Sequence, residues 1–559
     1  MGKSGLMQIQ RGQRREAAWV AFRRSALLAV LATLMLLGIQ EGPKALAGEA
    51  PAIESIQIGI EGVAKLGHWT PLRIALSGGE RDHRCFLEIE TVDGEGLPVV
   101  YEDASGDASF TLKAGQPLTV TRYYKPGRTD ARIRLLLRDE GTKAILAEES
   151  FAADHLPSTV SFYLQLGRDL DVGRIEAYGP RDPARRVVAR HVAHLELLPD
   201  DALGYDAVNA ILVTTSVEDA LGKLSDKQRK ALMEWVRRGG RIVLTVAEKA
   251  ERWFAPSSPW ASWSPGTLAG VRDSFETTGL MRYAKAAQPL PPRIRAPFLH
   301  IKSPRGQIVA FEGGGGLGDW PMLVRHAFGF GQVLVLLVDL DGKALVDWLG
   351  APRLMAKLLG LLDEGRGARA EDVQLASTAY SDISGQLRDA LDLFSNVVLV
   401  HFSWIAGLVA LYAMVIGPLE FAFWRWLRRP HGTWWTLPLW VLAFAGIAVV
   451  LSRGFKGKES RVNQVEIYDI DGSSGAVRAT VWAHLYSPDL RARDVVLSTK
   501  NLGDGVTVDE GTLTWHAVPG TRIGGMRGPT GMVVQSDAYR VAVRGAEGRL
   551  EGLPATVGS

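Results

Sequence analysis

Two histidines and a glutamate have the residue types of a metal site. His191, His194 and Glu196 form the pattern H-x-x-H-x-E, and imidazole and carboxylate groups are common ligands of zinc. The surrounding segment is predicted to be extended, so that His191 and His194 would point to opposite faces of a strand. We therefore expect a structural role for these residues, and no metal site.

Two loops share some features with ligand-binding loops. Residues 469–473 begin like a calcium loop, but the glycine comes too early and Thr480 stands where a bidentate Glu would be needed. Glu312 precedes a glycine-rich run that could cradle phosphate, yet no Lys-Ser/Thr pair follows to complete a P-loop. We predict a hairpin turn for the first segment and a flexible loop for the second.

Other signatures of catalysis are missing from the sequence. No G-x-S-x-G or H-E-x-x-H pattern occurs, and Cys85 is the only cysteine. One cysteine excludes an intramolecular disulfide and any multi-cysteine zinc or iron–sulfur site. We assign no catalytic, cofactor-binding or metal-ligating residue, and we expect no cofactor.

The middle of the chain, residues 156–366, has the pattern of an α/β domain. Two nearly continuous apolar runs, Val160 to Leu166 and Ala207 to Thr214, are typical of strands buried in a parallel sheet. Ser225 and Gln228 form a capping box at the start of a helix that ends at Gly239-Gly240. Further strands are predicted at Ile242 to Val246 and Gln332 to Val338, so the domain is predicted to be doubly wound.

The regions on both sides of this domain have the alternating sequence pattern that is typical of β-strands. Residues 48–155 alternate apolar and polar side chains over short runs separated by turn residues, which predicts a β-sandwich. Residues 453–559 return to runs of the same kind, and we predict a second, smaller C-terminal β-domain there.

Two uncharged segments predict a transmembrane hairpin at residues 397–452, joined to the α/β domain by a juxtamembrane linker at 367–396. Val397 to Leu419 and Trp434 to Leu451 can each cross an apolar layer of ~30 Å. The turn between them carries three arginines and no acid, as expected for a cytoplasmic turn. Glu420, at the inner end of the first helix, is expected to reach toward Arg425 or Arg428 rather than to mark an ion path.

The N-terminal residues resemble an export signal. Basic residues precede the apolar run Ser25 to Ile39, and Ala45-Leu46-Ala47 predicts cleavage before Gly48, giving a signal peptide at 1–47. An uncleaved anchor and a twin-arginine signal at Arg23-Arg24 are the alternatives. In either case residues 48–396 and 453–559 would be extracytoplasmic, and the protein would reside in the inner membrane of a bacterial-type envelope, with most of the chain periplasmic.

Length and charge restrict the partners. A chain of 559 residues should divide into roughly three or four domains. Its 64 Lys and Arg residues nearly balance its 61 Asp and Glu residues, so that no basic surface for nucleic acid is indicated. The expected partners are the membrane, through two helices, and a protein of the envelope.

Two segments in the α/β region resemble a known fold. Residues 205–213 (YDAVNAILV) and 232–244 (LMEWVRRGGRIVL) resemble the class I glutamine amidotransferase-like fold. Gly331 to Leu334, with Asp339 and Trp348, is similar to the last strand and helix of that domain in bacterial two-helix membrane proteins of unknown function. Those proteins also resemble this chain at residues 67–71 (GHWTP) and 416–419 (IGPL).

The resemblance implies a fold whose usual chemistry is lost. In active amidotransferases of this fold, a Cys sits on the turn after the strand corresponding to Ile242 to Val246. Here the turn reads Ala247-Glu248-Lys249-Ala250, with no Cys, Ser or Thr, and covalent catalysis needs a nucleophile. We therefore expect a non-enzymatic envelope protein that binds a partner protein or ligand. The rival hypothesis is a periplasmic hydrolase whose site is assembled from acids and histidines of several domains, and a transporter subunit is a weaker third.

Overall fold

A computed structural model describes much of the chain between residues 50 and 555. The described residues are 50–106, 108–313, 315, 319–362, 387, 390–391, 394, 402–428, 432–456, 459–472, 475–488, 491–497, 511–516, 537–544 and 548–555. The predicted signal peptide, most of the predicted linker at 367–396 and residues 397–401 therefore lie outside the described residues. The structure mixes sheets and helices, and two of the helices are long and apolar enough to cross a membrane.

The N-terminal β-region contains eight strands whose alternating side chains explain their burial. In Thr70–Ser77, for example, Leu72, Ile74 and Leu76 are fully buried, because successive side chains of a strand point to opposite faces. The strands are β1 (Ala52–Ile58), β2 (Thr70–Ser77), β3 (His83–Val92), β4 (Pro98–Asp103), β5 (Ser109–Leu112), β6 (Pro117–Tyr124), β7 (Arg132–Asp139) and β8 (Ile145–Ala152).

These strands form two antiparallel sheets. One sheet has the order β1-β2-β6, and the other contains β4-β3-β7-β8, with β5 paired to β3. Leu72 and Ile74 of the first sheet and Leu87 and Ile89 of the second belong to one hydrophobic core. Two sheets that share a core are compatible with the predicted β-sandwich.

The middle region is built around a seven-stranded sheet of order β10-β9-β11-β12-β19-β18-β17. Neighbours from β10 to β19 are parallel, and β18 and β17 add antiparallel. Two small sheets pair β13 with β16 and β14 with β15. The strands are β9 (Ser161–Leu166), β10 (Val187–His191), β11 (Ala210–Thr214), β12 (Arg241–Thr245), β13 (Gly266–Arg272), β14 (Phe275–Glu276), β15 (Arg293–Ile294), β16 (Phe298–Pro304), β17 (Gln307–Phe311), β18 (Pro321–Phe328) and β19 (Gly331–Leu336).

The longest helix of this region begins where the sequence supplies a cap. The capping box at Ser225 and Gln228 is present, and it starts a helix that buries Leu232, Trp235 and Val236. The helices are α1 (Asp226–Arg237), α2 (Ala250–Trp253), α3 (Thr278–Ala284), α4 (Lys343–Val346) and α5 (Ala351–Leu358). Short 3-10 helices lie at Val172–Tyr178, Pro183–Arg185, Leu195–Leu197, Ala202–Tyr205, Leu221–Lys223 and Ala261–Trp263.

Two helical stretches follow in the described part of the predicted membrane region. The first consists of α6 (Phe402–Met414), a π-helical turn (Val415–Leu419) and α7 (Glu420–Trp426), and the second is α8 (Thr433–Lys456). The stretches contact each other at the rings of Tyr412 and Phe444, whose centroids are 5.2 Å apart. Most of their apolar side chains are exposed, which is unfavourable in water and favourable in lipid.

The C-terminal strands differ from the prediction of a separate small β-domain. A hairpin of β20 (Arg461–Ile470) and β21 (Val477–Tyr486) forms its own two-stranded sheet. The last three strands, β22 (Arg491–Val496), β23 (Tyr539–Val543) and β24 (Arg549–Ala555), instead extend the N-terminal sheet through a parallel pairing of β23 with β4. Val541 and Leu550 are buried in the N-terminal core. These strands bury their apolar faces by joining an existing sheet edge.

Candidate functional site

The carboxyl edge of the central sheet is the candidate site. Strands β9, β11, β12 and β19 are parallel neighbours, so their carboxyl ends meet at one edge. In open α/β sheets, ligands bind in the crevice outside this edge. The segments that leave these strands begin at Gly167, Thr215, Val246 and Leu337.

The turn after β12 has its first two backbone N–H groups bonded to one carboxylate. Ala247 is buried, Glu248 is exposed, and helix α2 begins at Ala250. The backbone N–H of Ala247 donates to Oδ1 of Asp339 at 2.8 Å, and that of Glu248 donates to Oδ2 at 3.0 Å. Paired amides of this kind are what a binding site uses to hold an anion. In this chain the anion is the protein's own carboxylate.

Asp339 is shielded from solvent and electrostatically unusual. Its exposed fraction is 4%. The pKa of Asp339 is raised to about 6, chiefly by burial; the two N–H donors oppose this shift, and the charges of Asp341 and Glu248 add to it. A carboxyl with a raised pKa is a common feature of catalytic sites. Both oxygens of Asp339, however, are engaged with the turn.

Asp341 holds the neighbouring loop in the same way. Its Oδ2 accepts the N–H groups of Ser216 and Val217 at 3.2 and 3.1 Å, directly after β11. The side chain is fully buried, and its Oδ1 has no hydrogen-bond partner among the described residues. Arg168 donates to the backbone carbonyl of Asp341 at 3.1 Å. Asp339 and Asp341 thus accept hydrogen bonds from the loops that follow the adjacent strands β12 and β11.

The residues of the H-x-x-H-x-E pattern make separate contacts. Nε2 of His191 lies 2.7 Å from the carbonyl oxygen of Gly167, whereas Nδ1 of His194 lies 3.2 Å from Oε1 of Glu196 on the surface. Gly167 has a positive φ, and a Cβ there would lie 2.4 Å from Oγ1 of Thr214, so glycine is required. No cluster of three or more potential metal ligands was found among the residues that the structure describes.

The other two predicted loops have structural contacts. Residues 471–476 connect β20 to β21, whose last pair is Ile470 and Val477, so the predicted hairpin turn is confirmed. Glu312 is buried, forms an ion pair with Arg272 at 3.1 Å and accepts the N–H of Glu276 at 2.8 Å. Much of the glycine-rich run, including residues 314 and 316–318, lies outside the described residues.

The GHWTP segment at 67–71 joins the N-terminal β-region to the α/β region. The backbone N–H of Trp69 donates to Oδ2 of Asp206 at 2.9 Å, and Nδ1 of His68 lies 3.3 Å from the same oxygen. The Trp69 ring packs edge-on against Tyr101. Cys85, the lone cysteine, is buried in β3 and belongs to the core of the N-terminal β-region, whereas the turn after β12 belongs to the core of the α/β region. The segment has a structural function, which the sequence pattern left undefined.

Glu420 does not make the contact expected from the sequence. Its side chain is 4% exposed, and its Oε1 is in hydrogen-bond contact with Oγ1 of Thr436 on α8. Among the described residues, no ion pair links it to Arg425 or Arg428. The π-helical turn before it contains Pro418, which has no N–H to donate. The extra residue of a π turn rotates the following side chains by about 100°, and here Glu420 faces the second helix.

Comparison with known proteins adds no functional argument. No protein-family model and no curated protein matches the sequence. A Niemann-Pick type C2 protein from Japanese carpenter ant is 10% identical over 20% of this chain and 95% of its own, with a TM-score of 0.15. Spo0M, a sporulation control protein from Bacillus subtilis, is 15% identical over 20% of this chain and 51% of its own, with a TM-score of 0.14.

A third solved structure, a Bacteroides uniformis beta-glucuronidase, is 9% identical over 37% of this chain and 36% of its own, with a TM-score of 0.17. At these scores, neither the fold nor the function of this chain can be inferred from the three structures. None of the three is an amidotransferase. The amidotransferase-like interpretation therefore rests on the sequence pattern.

Replacement of the exposed Glu248 and the partly exposed Lys249 should be harmless to the fold. We expect the double change Glu248→Ala and Lys249→Ala to alter the free energy of unfolding by no more than about 0.5 kcal/mol, as for ordinary surface positions. The backbone N–H of residue 248, which bonds Asp339, is retained in the variant. Denaturant unfolding of the purified chain in detergent measures the effect. A loss well above this bound would show that the side chains themselves hold the turn.

Proposed function

We propose that the protein is a non-enzymatic membrane protein of a bacterial-type cell envelope, whose α/β region binds a partner protein or a small ligand. The observation that carries this proposal is the turn after β12. It offers no Cys, Ser or Thr, and Asp339 accepts the N–H groups of Ala247 and Glu248. Acyl transfer of the amidotransferase type needs a Cys, Ser or Thr nucleophile and free donors for the developing oxyanion. The turn has none of these nucleophiles, and its first two N–H groups are occupied by Asp339.

We infer a doubly wound, class I glutamine amidotransferase-like fold for residues 156–366. The run of four parallel pairings from β10 to β19 supports this inference, together with the sequence pattern at 205–213 and 232–244. In that fold the carboxyl edge is the natural ligand position. The exposed side chains there, such as Val217 and Glu248, are then the first candidates for contact with a partner.

The rival function, a periplasmic hydrolase, draws support from one feature. Asp339 has a pKa of about 6, raised by burial, and the adjacent Asp341 has an oxygen without a partner among the described residues. A general base, however, must come within hydrogen-bond reach of the proton it abstracts. Asp339 is 4% exposed and bonded through both oxygens, so this geometry favours a structural carboxylate.

The pairing of β4 with β23 supports a two-span membrane topology. β4 precedes the apolar helices and β23 follows them, yet both lie in one sheet. Residues on either side of the hairpin must therefore lie on the same side of the membrane, which requires an even number of crossings between them. Combined with the predicted export signal, the pairing supports our proposal that both flanks are extracytoplasmic.

Cysteine labelling in intact cells should reveal this topology. Cysteines introduced at His300 and Asn501 should react with a membrane-impermeant maleimide, and a cysteine at Pro430 should react only after the membrane is opened. Cys85 is buried and provides the unreactive background. Labelling of position 430 from outside would reverse the proposed orientation, and opposite labelling of positions 300 and 501 would exclude an even number of crossings.

Photo-crosslinking from the carboxyl edge tests the binding proposal directly. A photoreactive amino acid at position 217 or 248 should yield a crosslinked product of defined mass in cells. The control is the same amino acid at Glu149, which is exposed on β8 away from this edge in sequence and fold. If positions 217 and 248 give no product beyond that of the control, the edge is not a binding surface under those conditions and the proposal fails.

A further inference from the structure

The N-terminal β-region is assembled from two parts of the chain that the apolar helices separate. Strands β1 to β8 precede these helices, whereas β22, β23 and β24 follow them. β23 is an inner strand of the larger sheet and lies between β4 and β24. Its pairs with β4 run from Tyr539 opposite Val99 to Val543 opposite Asp103. Without β23, β4 would be an edge strand with unpaired backbone N–H and C=O groups.

The inward side chains of β23 fill the core between the two sheets. Tyr539 and Val541 are fully buried and Val543 is 2% exposed. All three belong to the core that contains Leu72 of β2 and Leu87 of β3. Because protein interiors are close-packed, loss of these side chains would leave a cavity and expose the apolar residues around it. The N-terminal strands therefore need β23 to complete their core.

Two buried carboxylates of the N-terminal part have partners in the C-terminal part. The phenol of Tyr539 donates to Oδ2 of Asp93 at 2.9 Å, and Arg544 forms an ion pair with Asp103. Asp93 and the side chain of Asp103 are each 3% exposed. A buried carboxylate is costly unless it is paired and hydrogen-bonded. Removal of the C-terminal strands would take these partners away.

The short segment 511–516 makes a further set of contacts with the N-terminal part. Nζ of Lys125 donates to the backbone carbonyl of Trp515 at 2.9 Å and lies 4.7 Å from the centre of its ring, where an ammonium is attracted to the indole face. Nε1 of Trp515 donates to Oη of Tyr101 at 2.7 Å. Lys125 and Tyr101 are both buried. The N-terminal part thus binds this segment through specific polar contacts as well as by packing.

The α/β region has a core of its own. Within the described part of the chain, this core contains no residue after Leu362. Val213 of β11 lies in it, whereas Cys85 of β3 lies in the core shared with β23, and both side chains are fully buried. Opening of the N-terminal β-region should therefore expose Cys85 and leave position 213 covered.

We propose that residues 511–516, together with β22, β23 and β24, form a C-terminal clasp that closes the N-terminal β-region only after both helices of the membrane hairpin have inserted. This inference rests on the proposed two-span topology. The two parts of the sheet can pair only in one compartment. A chain whose second apolar helix stays out of the membrane leaves the clasp on the opposite side. Insertion of the whole hairpin is thus a condition for a stable extracytoplasmic β-region.

The thiol reactivity of Cys85 measures closure by the clasp. Val541→Ala removes two methyl groups from the shared core, and the matched change Val496→Ala lies on β22, where the side chain is 44% exposed. In the purified full-length chain in detergent, a maleimide should label Cys85 about tenfold faster in Val541→Ala than in the wild type, because labelling follows the open fraction. Val496→Ala should react like the wild type. Equal rates in the two variants would overturn the proposal.

A chain whose second helix cannot insert tests the dependence on the hairpin. The changes Phe444→Arg and Gly446→Arg place two charges in the middle of α8, which opposes its insertion. A tag after Ser559 reports the side of the C-terminus in intact cells. With the tag inside, an impermeant maleimide should label Cys85, which stays unlabelled in the wild type. In a Cys85→Ala background, Val213→Cys should remain unlabelled in both chains.

The matched control for this variant is Phe444→Leu with Gly446→Ala. It keeps the helix apolar, and a Cβ at Gly446 meets no atom within 4 Å, so its tag should lie outside and its Cys85 should stay unlabelled. If Cys85 of the arginine variant stays unlabelled with the tag inside, the β-region closes without the clasp and the proposal is wrong. Labelling of Val213→Cys together with Cys85 would also overturn it, because the opening would not be confined to the β-region.

Failure of the topology is distinguishable from failure of the clasp. A wild-type tag on the inside would contradict the proposed topology and, with it, the dependence on insertion. The comparison of Val541→Ala with Val496→Ala is made in detergent and would still decide whether the clasp closes the β-region.

Discussion

Asp339→Ala should lower the free energy of unfolding by about 2 kcal/mol. Two hydrogen bonds to the carboxylate are lost, each worth ~1.5–3 kcal/mol, and the N–H of Ala247 is left buried without its acceptor. Removing the carboxylate also removes the cost of burying its charge, which offsets part of this loss. A pKa raised to about 6 corresponds to a cost of ~3 kcal/mol for the charged form. The lost bonds outweigh that relief.

Tryptophan fluorescence during denaturant unfolding of the purified chain in detergent measures this effect. Trp253 lies at the end of α2, directly after the turn, and is buried. The matched control is Glu248→Ala, which changes the same turn but keeps its backbone bonds to Asp339. If Asp339→Ala proves as harmless as the control, the carboxylate does not hold the turn, and the structural account of this edge is wrong.

Lys65→Met should raise the free energy of unfolding at pH 7 by about 2 kcal/mol. Lys65 is 3% exposed, and its Nζ donates only one long bond, to the carbonyl of Ala207 at 3.4 Å. Burial lowers the pKa of Lys65 to about 8, although Asp206 opposes the shift. A depression of this size corresponds to ~3 kcal/mol of cost for the charged form, and Met removes the charge while filling a similar volume.

The same pKa shift predicts a pH dependence. Above about pH 8 the folded chain releases the Lys65 proton, whereas the unfolded chain retains it up to about pH 10.4. The unfolded state then binds more protons, so stability should rise with pH through this window. Lys125, whose pKa burial also lowers to about 8, should contribute a similar rise.

Urea titrations at pH 7 and pH 9 compare the wild type, Lys65→Met and the exposed control Lys230→Met. Lys65→Met should be the more stable protein at pH 7 and should gain less than the wild type at pH 9. The control should follow the wild type at both values. The account would be contradicted if Lys65→Met were less stable than the wild type at pH 7 and gained as much stability as the wild type between pH 7 and pH 9. That result would show that the contacts of the buried ammonium offset its cost of burial.

Local patterns in the sequence were sufficient to predict many of the strands and the longest helix of the α/β region. The period-two runs gave the strands of the N-terminal region, and the Ser225 and Gln228 capping box located the start of α1. Pairing partners, however, are not encoded in such a pattern. Tyr539 pairs with Val99 across more than four hundred residues, and alternation alone cannot tell whether a C-terminal strand joins a distant sheet or forms its own.

The candidate site could also be predicted only in part, because its contacts join residues that are distant in the sequence. Sequence reasoning noted Asp339 only as part of the fold resemblance and did not note Asp341. The amides that these carboxylates bind lie in turns about 90 and 125 residues away, so no local pattern reveals the contacts. An aspartate pair directly after an apolar strand was the available signal. The contact of Glu420 with Thr436 depends on the π-helical turn before it, which a simple helical period does not predict.

Complementation of a strain lacking the gene tests the central claim most directly. The variant with Glu248→Ala and Lys249→Ala retains every backbone bond of the turn but no side chain that could act as a base or nucleophile. The account predicts full complementation at an abundance in the membrane equal to that of the wild type. Loss of complementation at unchanged abundance, with Glu248→Gln equally inactive, would contradict the non-enzymatic interpretation, because Gln preserves the shape of a binding contact but cannot act as a carboxylate base.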